Sequence, residues 1–285
     1  MFDSITLILV FMVFLVLGRF FYHRNLEKLS MVIVGILVFT IGVWSGKSLS
    51  SNMFLIIFSA FLYLSCLFTI TLISGIIIHR SFSLSSGKRS GFSITILFMV
   101  LLGWITSFFI PEHFSIFLSM LIRLELYVLI ALIALSVSRY VTKETIFSNG
   151  HEAVKAVSES FLNGLFTGLV FWFITGTDLR VSIAIAWGMG WYSFTGPFIG
   201  LQAGPIMGML AFLVNLLREQ LTFLVVPLIK EPRLSLLSIG GATTMDNTLP
   251  VYSMVYGKEF SMTALIHGAI HTLLVPLILT IIFII

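Results

Sequence analysis

Residues 240–250 read GGATTMDNTLP, in a chain of 285 residues of which 58% are hydrophobic and 10% charged. The flanking runs LSLLSI and VYSMVY are apolar, yet each is too short to cross a bilayer, which takes about 20 helical residues. The reading of this stretch therefore decides whether 234–254 is one interrupted membrane segment or a loop between two short helices. Gly240 and Gly241 weaken a helix before the break, and Pro250 removes a backbone donor after it. An aspartate at the centre of a spanning helix costs roughly 2.5–3.5 kcal/mol on insertion scales. The N–H and C=O groups freed by a break must be buried in protein or line a wet cavity. Thr243, Thr244, Asn247 and Thr248 carry the side chains suited to satisfying them. The economical reading is a discontinuous helix with an ionisable group, Asp246, at its break. That arrangement points to the binding site of a transporter.

The rest of the chain supports membrane depth. Mean hydropathy is +1.10, and apolar runs fall at about 3–22, 29–46, 53–78, 92–110, 124–138, 161–176, 180–196, 205–229, 234–254 and 260–284. Nothing alternates with the two-residue period of a transmembrane β-barrel. The expected fold is an all-α polytopic membrane protein of 8–10 transmembrane helices, a two-repeat transporter fold with broken or re-entrant helices. Eight crossings result if the seventh and ninth segments re-enter, ten if both cross. The first run has no basic cluster before it and no small-residue cleavage pattern after it, so it reads as a retained span. Cys66 is the sole cysteine, which excludes an internal disulfide and a multi-cysteine metal site.

Basic residues alternate between connections. Arg19, Arg24 and Lys28 follow the first span, Lys47 alone the second, and Arg80, Lys88 and Arg89 the third. The fourth connection, around Pro111, has none, and the fifth holds Arg139, Lys143 and Lys155. The positive-inside rule then makes the odd connections cytoplasmic and the N-terminus external. Lys230 and Arg233 obey it only if 180–204 enters and leaves by the same face. Residues 141–160 form a polar cytoplasmic connector between an N-terminal half, 1–140, and a C-terminal half, 161–285, that carries the broken-helix site. Arg123 and Glu125 are expected at the mouth of a span starting near 124, or deeper if that span begins at Phe114.

Three further elements accompany the break. GMGWYSFTGP (188–197) brings glycines, a proline, Trp191, Tyr192 and Ser193 into apolar context. An opened helix there would present N–H groups and the positive end of a half-helix to a carboxylate. The alternative is that its glycines pack helices and its aromatic pair anchors an interface. In VNLLREQLT (214–222), Asn215, Arg218, Glu219 and Thr222 share one helical face. That polar face either lines the path beside Asp246 or holds a self-neutralising Arg–Glu pair. In IHGAIH, His267 and His271 stand at i, i+4 without the carboxylate of a metalloprotease motif, and a proton relay suits them better than a metal.

The motifs GMGWYSFTG, QAGPIMG, NLLRE, GGATTMDNTLPV and ALIHGAIHTLLVP resemble, in that order, the C-terminal half of the lysine exporter (lysine outward permease) family. The resemblance covers about 100 residues, 186–285. It implies an exporter of L-lysine and lysine analogues in a prokaryotic inner membrane, with broken-helix repeats similar to those of sodium/proton antiporters and bile-acid transporters. It places Asp246 at the family's intramembrane acid, Trp191 and Tyr192 in its GWYS motif, Arg218 and Glu219 in its RE pair and His267 in its HG motif. One departure is Val214-Asn215, where the family tends to have Asn-Asp, so an acid is missing.

Lysine bears a net positive charge and needs a fixed negative partner on its path. A carboxylate that takes either a proton or an ammonium, but not both, yields cation/proton antiport. The expected partners are L-lysine or a related cationic amino acid, protons or sodium as coupling ion, and the lipid bilayer. No nucleic acid, cofactor, metal or catalytic activity is expected, and a homo-oligomer is compatible with the chain. The alternatives are another amino acid, organic cation or inorganic ion on the same fold. An intramembrane enzyme built from His267, His271 and Asp246 is a remoter one.

Overall fold

The computed structural model describes residues 2–21, 25–50, 53–84, 94–137, 143–245 and 247–284. Long apolar runs become helices because lipid offers no partner for backbone N–H and C=O groups, and a helix satisfies them internally. The helices are α1 (Phe2–Phe21), α2 (Asn25–Ser50), α3 (Met53–His79), α4 (Ile94–Ser107), α5 (Ser115–Val137) and α6 (Lys143–Thr175). They continue with α7 (Leu179–Trp187), α8 (Tyr192–Ala203), α9 (Pro205–Val225), α10 (Arg233–Gly240), α11 (Leu249–Tyr256) and α12 (Lys258–Ile284). The protein is an all-α, multi-pass membrane protein. Among the described residues, five helical stretches are long and apolar enough to cross a bilayer: Met53–His79, Ser115–Leu132, Gly150–Thr175, Pro205–Leu228 and Glu259–Ile284. The outward side chains of α3, such as Phe54, Leu55, Phe58, Phe61 and Ile77, stand exposed. A row of that size needs lipid as its neighbour.

The two segments interrupted by Gly and Pro are hairpins. α6 and α3 are antiparallel, with Ser74 bonded to Asn163 and His79 to Glu159. The end of α3 leads to a short strand, β1 (Ser83–Leu84), which pairs antiparallel with β2 (Ile229–Glu231) beyond the end of α9. The ends of α3 and α9 therefore share one side of the molecule, and the end of α6 lies on the other. α7 turns back along α6, with Gly168 against Ile183 and Gly164 against Trp187. α8 runs antiparallel to α9, with Gly196 against Phe212 and Gly200 against Gly208. Since only Gly204 separates α8 from α9, α8 ends on the side where α7 began.

The second hairpin mirrors the first from the opposite side. α10 starts directly after β2, and α11 returns beside it: the Tyr252 hydroxyl donates to the Leu236 carbonyl at 2.8 Å and that of Tyr256 to the Ile229 carbonyl at 2.5 Å. α12 then leaves from the same side, with Arg233 5.3 Å from the ring centre of Phe260. At about 1.5 Å per residue, α7 and α10 reach about 13 and 12 Å inward. Together these lengths approach the roughly 30 Å of a hydrocarbon core, so the two tips meet near mid-depth.

Two sequence expectations change in detail. α5 begins at Ser115, after Pro111 and a 3-10 turn over Glu112–Phe114. Glu125 is therefore mid-helix and buried, not at a membrane mouth, and Thr40 of α2 donates to it at 2.9 Å. Residues 143–160, expected as part of a connector, are helical and continuous with the span that follows, with Ala153, Ala156, Val157, Glu159 and Ser160 buried.

Candidate functional site at the meeting of two hairpins

The tip of the first hairpin is Gly188–Trp191 and that of the second is a 3-10 turn over Gly241–Met245. The two tips are bonded directly: the Ala242 N–H donates to the Met189 carbonyl at 2.7 Å. Glycine is required on both sides of this contact. Gly241 has φ +60°, and a Cβ there would strike the Met189 carbonyl. Gly190 has φ +77°, and its Cβ would lie 2.7 Å from the Gly240 carbonyl. Both conformations fall in the left-handed region that side chains avoid.

A break exposes the last carbonyls of a half-helix, which carry its negative partial charge. Here the C-terminal ends of α7 and α10 converge, and one residue serves both. Arg218 of α9, fully buried, donates from Nε to the Ile239 carbonyl and from Nη1 to the Ala186 carbonyl, both at 2.8 Å. Its Nη2 donates to the Ser238 carbonyl and lies 3.4 Å from Met189 Sδ. A guanidinium offers five donors in a fixed fork, which suits carbonyls arriving from two directions. These charge-assisted bonds offset much of the cost of burying the cation. The alternative of a self-contained Arg218–Glu219 pair is therefore an incomplete description of Arg218. Glu219 is buried beside it on α9.

Asn215, one turn before Arg218, organises the first tip alone. Its Oδ1 accepts from the Gly190 N–H at 2.7 Å, and its Nδ2 donates to the carbonyls of Ile185 at 3.0 Å and Ala211 at 2.9 Å. Thr222, the last residue of the polar face, bonds back to the Arg218 carbonyl at 3.1 Å. Trp191, Tyr192 and Ser193 open α8 and are all buried. The Trp191 ring lies 5.2 Å from that of Phe194, and the Tyr192 ring 5.6 Å from that of Phe212.

The threonines of the second tip do what the break demands. Thr243 donates to the Gly240 carbonyl at 2.9 Å and lies 3.2 Å from the Thr248 hydroxyl. Thr244 bonds the carbonyls of Gly241 and Ala264, each at 2.8 Å, and His267 Nδ1 at 3.0 Å. The other nitrogen of His267 is 2.9 Å from Ser160 of α6. Asn247 is exposed. Asp246 lies outside the described residues, between these neighbours in the chain. His271 bonds the His267 carbonyl through Nδ1 at 2.9 Å, and the two rings are 4.2 Å apart.

Sequence reasoning missed a second polar layer behind the tip. Glu159, Ser160 and Asn163 on α6 face Ser235 and Ser238 on α10, with Ser74 and His79 on α3. The available signal was spacing: SESFLN at 158–163 and LSLLS at 234–238 each repeat polar residues at helical intervals.

A sequence model of the family described as "Lysine exporter LysO" matches residues 97–283. The chain is 37% identical over 119 residues to the "Lysine exporter LysO" of Escherichia coli K12, covering 41% of this chain and 40% of that protein. It is 33% identical over 119 residues to a Haemophilus influenzae protein described as "Putative lysine exporter", covering 41% of this chain and 61% of the relative. The matched segments thus span less than two thirds of either relative. No solved structure matches the chain significantly.

Proposed function

Because the chain belongs to the lysine exporter LysO family, we propose that it exports L-lysine and lysine analogues across a prokaryotic inner membrane, in exchange for protons. The observation that carries this reading is the meeting of two oppositely directed hairpin tips around the buried Arg218. Discontinuous elements of this kind put helix ends, rather than apolar side chains, at mid-depth. The C-terminal ends of α7 and α10 are occupied by Arg218. The N-terminal ends of α8 and α11 carry positive partial charge and suit the amino acid's carboxylate. Trp191, Tyr192 and Ser193 belong to the first of these, and Thr243, Thr244 and Asn247 flank the second. In this reading Asp246 holds an ammonium of the substrate on the outward journey and a proton on the return. Asn215, Arg218 and Glu219 position the tips, and His267 communicates with the second.

The hairpin arrangement also supports an orientation. With residues 179–203 entering and leaving by one side, Lys230 and Arg233 fall on the side that Arg80 marks at the end of α3. The positive-inside rule then assigns that side to the cytoplasm and the N-terminus to the exterior. We read the two hairpins as the repeated unit of the fold, entering from opposite sides. The chemistry is transport and involves no bond cleavage.

Lysine-loaded proteoliposomes should take up radiolabelled lysine by exchange, with competition from lysine analogues and none from leucine or glutamate. Absence of exchange by folded protein would overturn the substrate. A different amino acid or cation competing better than lysine would favour the second reading, motivated by Val214-Asn215 where the family tends to carry an acid.

A further inference from the structure

Behind the second tip, hydrogen-bonding side chains form a buried file that leads away from the site. Thr244 touches His267 Nδ1 at 3.0 Å, and His267 Nε2 touches the Ser160 hydroxyl at 2.9 Å. Ser160 lies 3.0 Å from the Ser238 hydroxyl and 2.8 Å from the Ala156 carbonyl, and its one hydrogen is shared between them. Ser160, Ser238, Thr244 and His267 are all fully buried or nearly so. Asn163 Nδ2 donates to Ser238 at 3.2 Å, which leaves the Ser238 hydroxyl hydrogen for an acceptor of its own. One helical turn nearer the side where α3 ends stands the carboxylate of Glu159, bonded by Ser235 on one oxygen and by His79 Nε2, at 2.9 Å, on the other. His79 is about a quarter exposed. The file thus runs from the hairpin tip to Ser238, and about one helical turn further on the Glu159–His79 pair continues toward solvent.

We propose that this file is a proton path joining the second hairpin tip to the cytoplasmic side, with Glu159 as its outer station. The proposal rests on the reading of the protein as a proton-coupled exporter and adds the route by which the proton leaves. Each step except the one onto Glu159 moves one proton along a hydrogen bond present in the structure. Protonated His267 gives its Nε2 proton to Ser160 while the Ser160 proton passes to Ser238. The Ser238 proton then goes to the Glu159 carboxylate. Ser238 stands three residues, about one helical turn, from the Ser235 that bonds Glu159, so Glu159 must turn from Ser235 to Ser238 to take the proton. Glu159 passes the proton to His79 and returns to the carboxylate form. Among the described residues, the charged and titratable groups facing the file are His79 from α3, His271 on α12 and Arg218 from α9. Arg233, at the start of α10, lies 3.8 Å from Glu231.

A purely adhesive interface would not need the acid. Serines and asparagines hold helices together in lipid without burying a charge. Glutamine at position 159 can keep hydrogen bonds to Ser235 and His79 but cannot take up and release a proton at neutral pH.

The test compares two fluxes in proteoliposomes of the full chain: lysine-for-lysine exchange, which needs no proton, and lysine accumulation driven by an acidic lumen. For Glu159→Gln and for Ser160→Ala, gradient-driven accumulation should fall at least about tenfold, as expected when a proton-transfer group is lost, while exchange persists. Accumulation equal to wild type in both variants overturns the path. Loss of both fluxes together assigns these residues to holding the hairpin and also overturns it. A wild-type protein whose lysine flux ignores the gradient overturns proton coupling itself, and the path with it.

Discussion

Replacement of Arg218 by methionine should remove a large part of the protein's stability. The usual rescue of a buried ion pair, exchanging both partners for apolar groups, does not apply. The partners are the backbone carbonyls of Ala186, Ser238 and Ile239, which no substitution removes. The Ala186 carbonyl keeps the Met189 N–H; each buried group left unsatisfied costs about 1–3 kcal/mol, so the Ser238 and Ile239 carbonyls together cost about 2–6 kcal/mol. Whole domains are held by roughly 5–15 kcal/mol. Arg218→Lys keeps the charge but loses the planar fork that reaches two half-helices at once, and it should fall between wild type and Arg218→Met. Thermal unfolding of detergent-solubilised protein, followed by size-exclusion chromatography, reads the order. A methionine variant as stable as wild type would show that the tips meet without the guanidinium.

Asp246→Asn should abolish lysine recognition while leaving the fold intact. Asparagine keeps the volume and hydrogen-bonding capacity of the aspartate and removes its charge. An ammonium and a carboxylate about 4 Å apart attract by about 4 kcal/mol at an effective dielectric constant near 20. Each 1.4 kcal/mol is a factor of about ten in affinity, so the dissociation constant for lysine should rise about a thousandfold. Equilibrium binding of labelled lysine to purified protein measures the change. Binding of near wild-type strength in the variant would remove Asp246 from the site and leave the exposed tip around Asn247 without its assigned acid.

Much of this architecture was legible because lipid punishes irregular backbone. The ten apolar segments correspond to the helices, and the two segments marked by Gly and Pro are the two that break. What local sequence could not decide was whether those segments cross or return. α7, α8, α10 and α11 are 9, 12, 8 and 8 residues long, so each is too short to cross alone. The choice rests on neighbours: Gly200 against Gly208 sets α8 against α9, and Tyr252 against Leu236 sets α11 against α10. The polar face of Asn215, Arg218, Glu219 and Thr222 was visible as spacing, but Asn215, Arg218 and Thr222 bond backbone N–H and C=O groups, which no sequence distinguishes. Glu159 was obscured differently. It stands in a charged stretch that reads as solvated until α10 and α3 are laid over it. For Glu125 the sequence allows a membrane mouth or a deeper position, because Pro111 and Glu112 look like a connection, and a helix that starts at Ser115 decides for the deeper one.

Gradient-driven transport tests proton exchange at the two hairpin tips most directly. Wild-type proteoliposomes with an acidic lumen, given external radiolabelled lysine, should accumulate it above its equilibrium level as protons leave. A protonophore should collapse that accumulation. Lysine uptake that is the same with and without the gradient would contradict proton exchange at the meeting of the two hairpins.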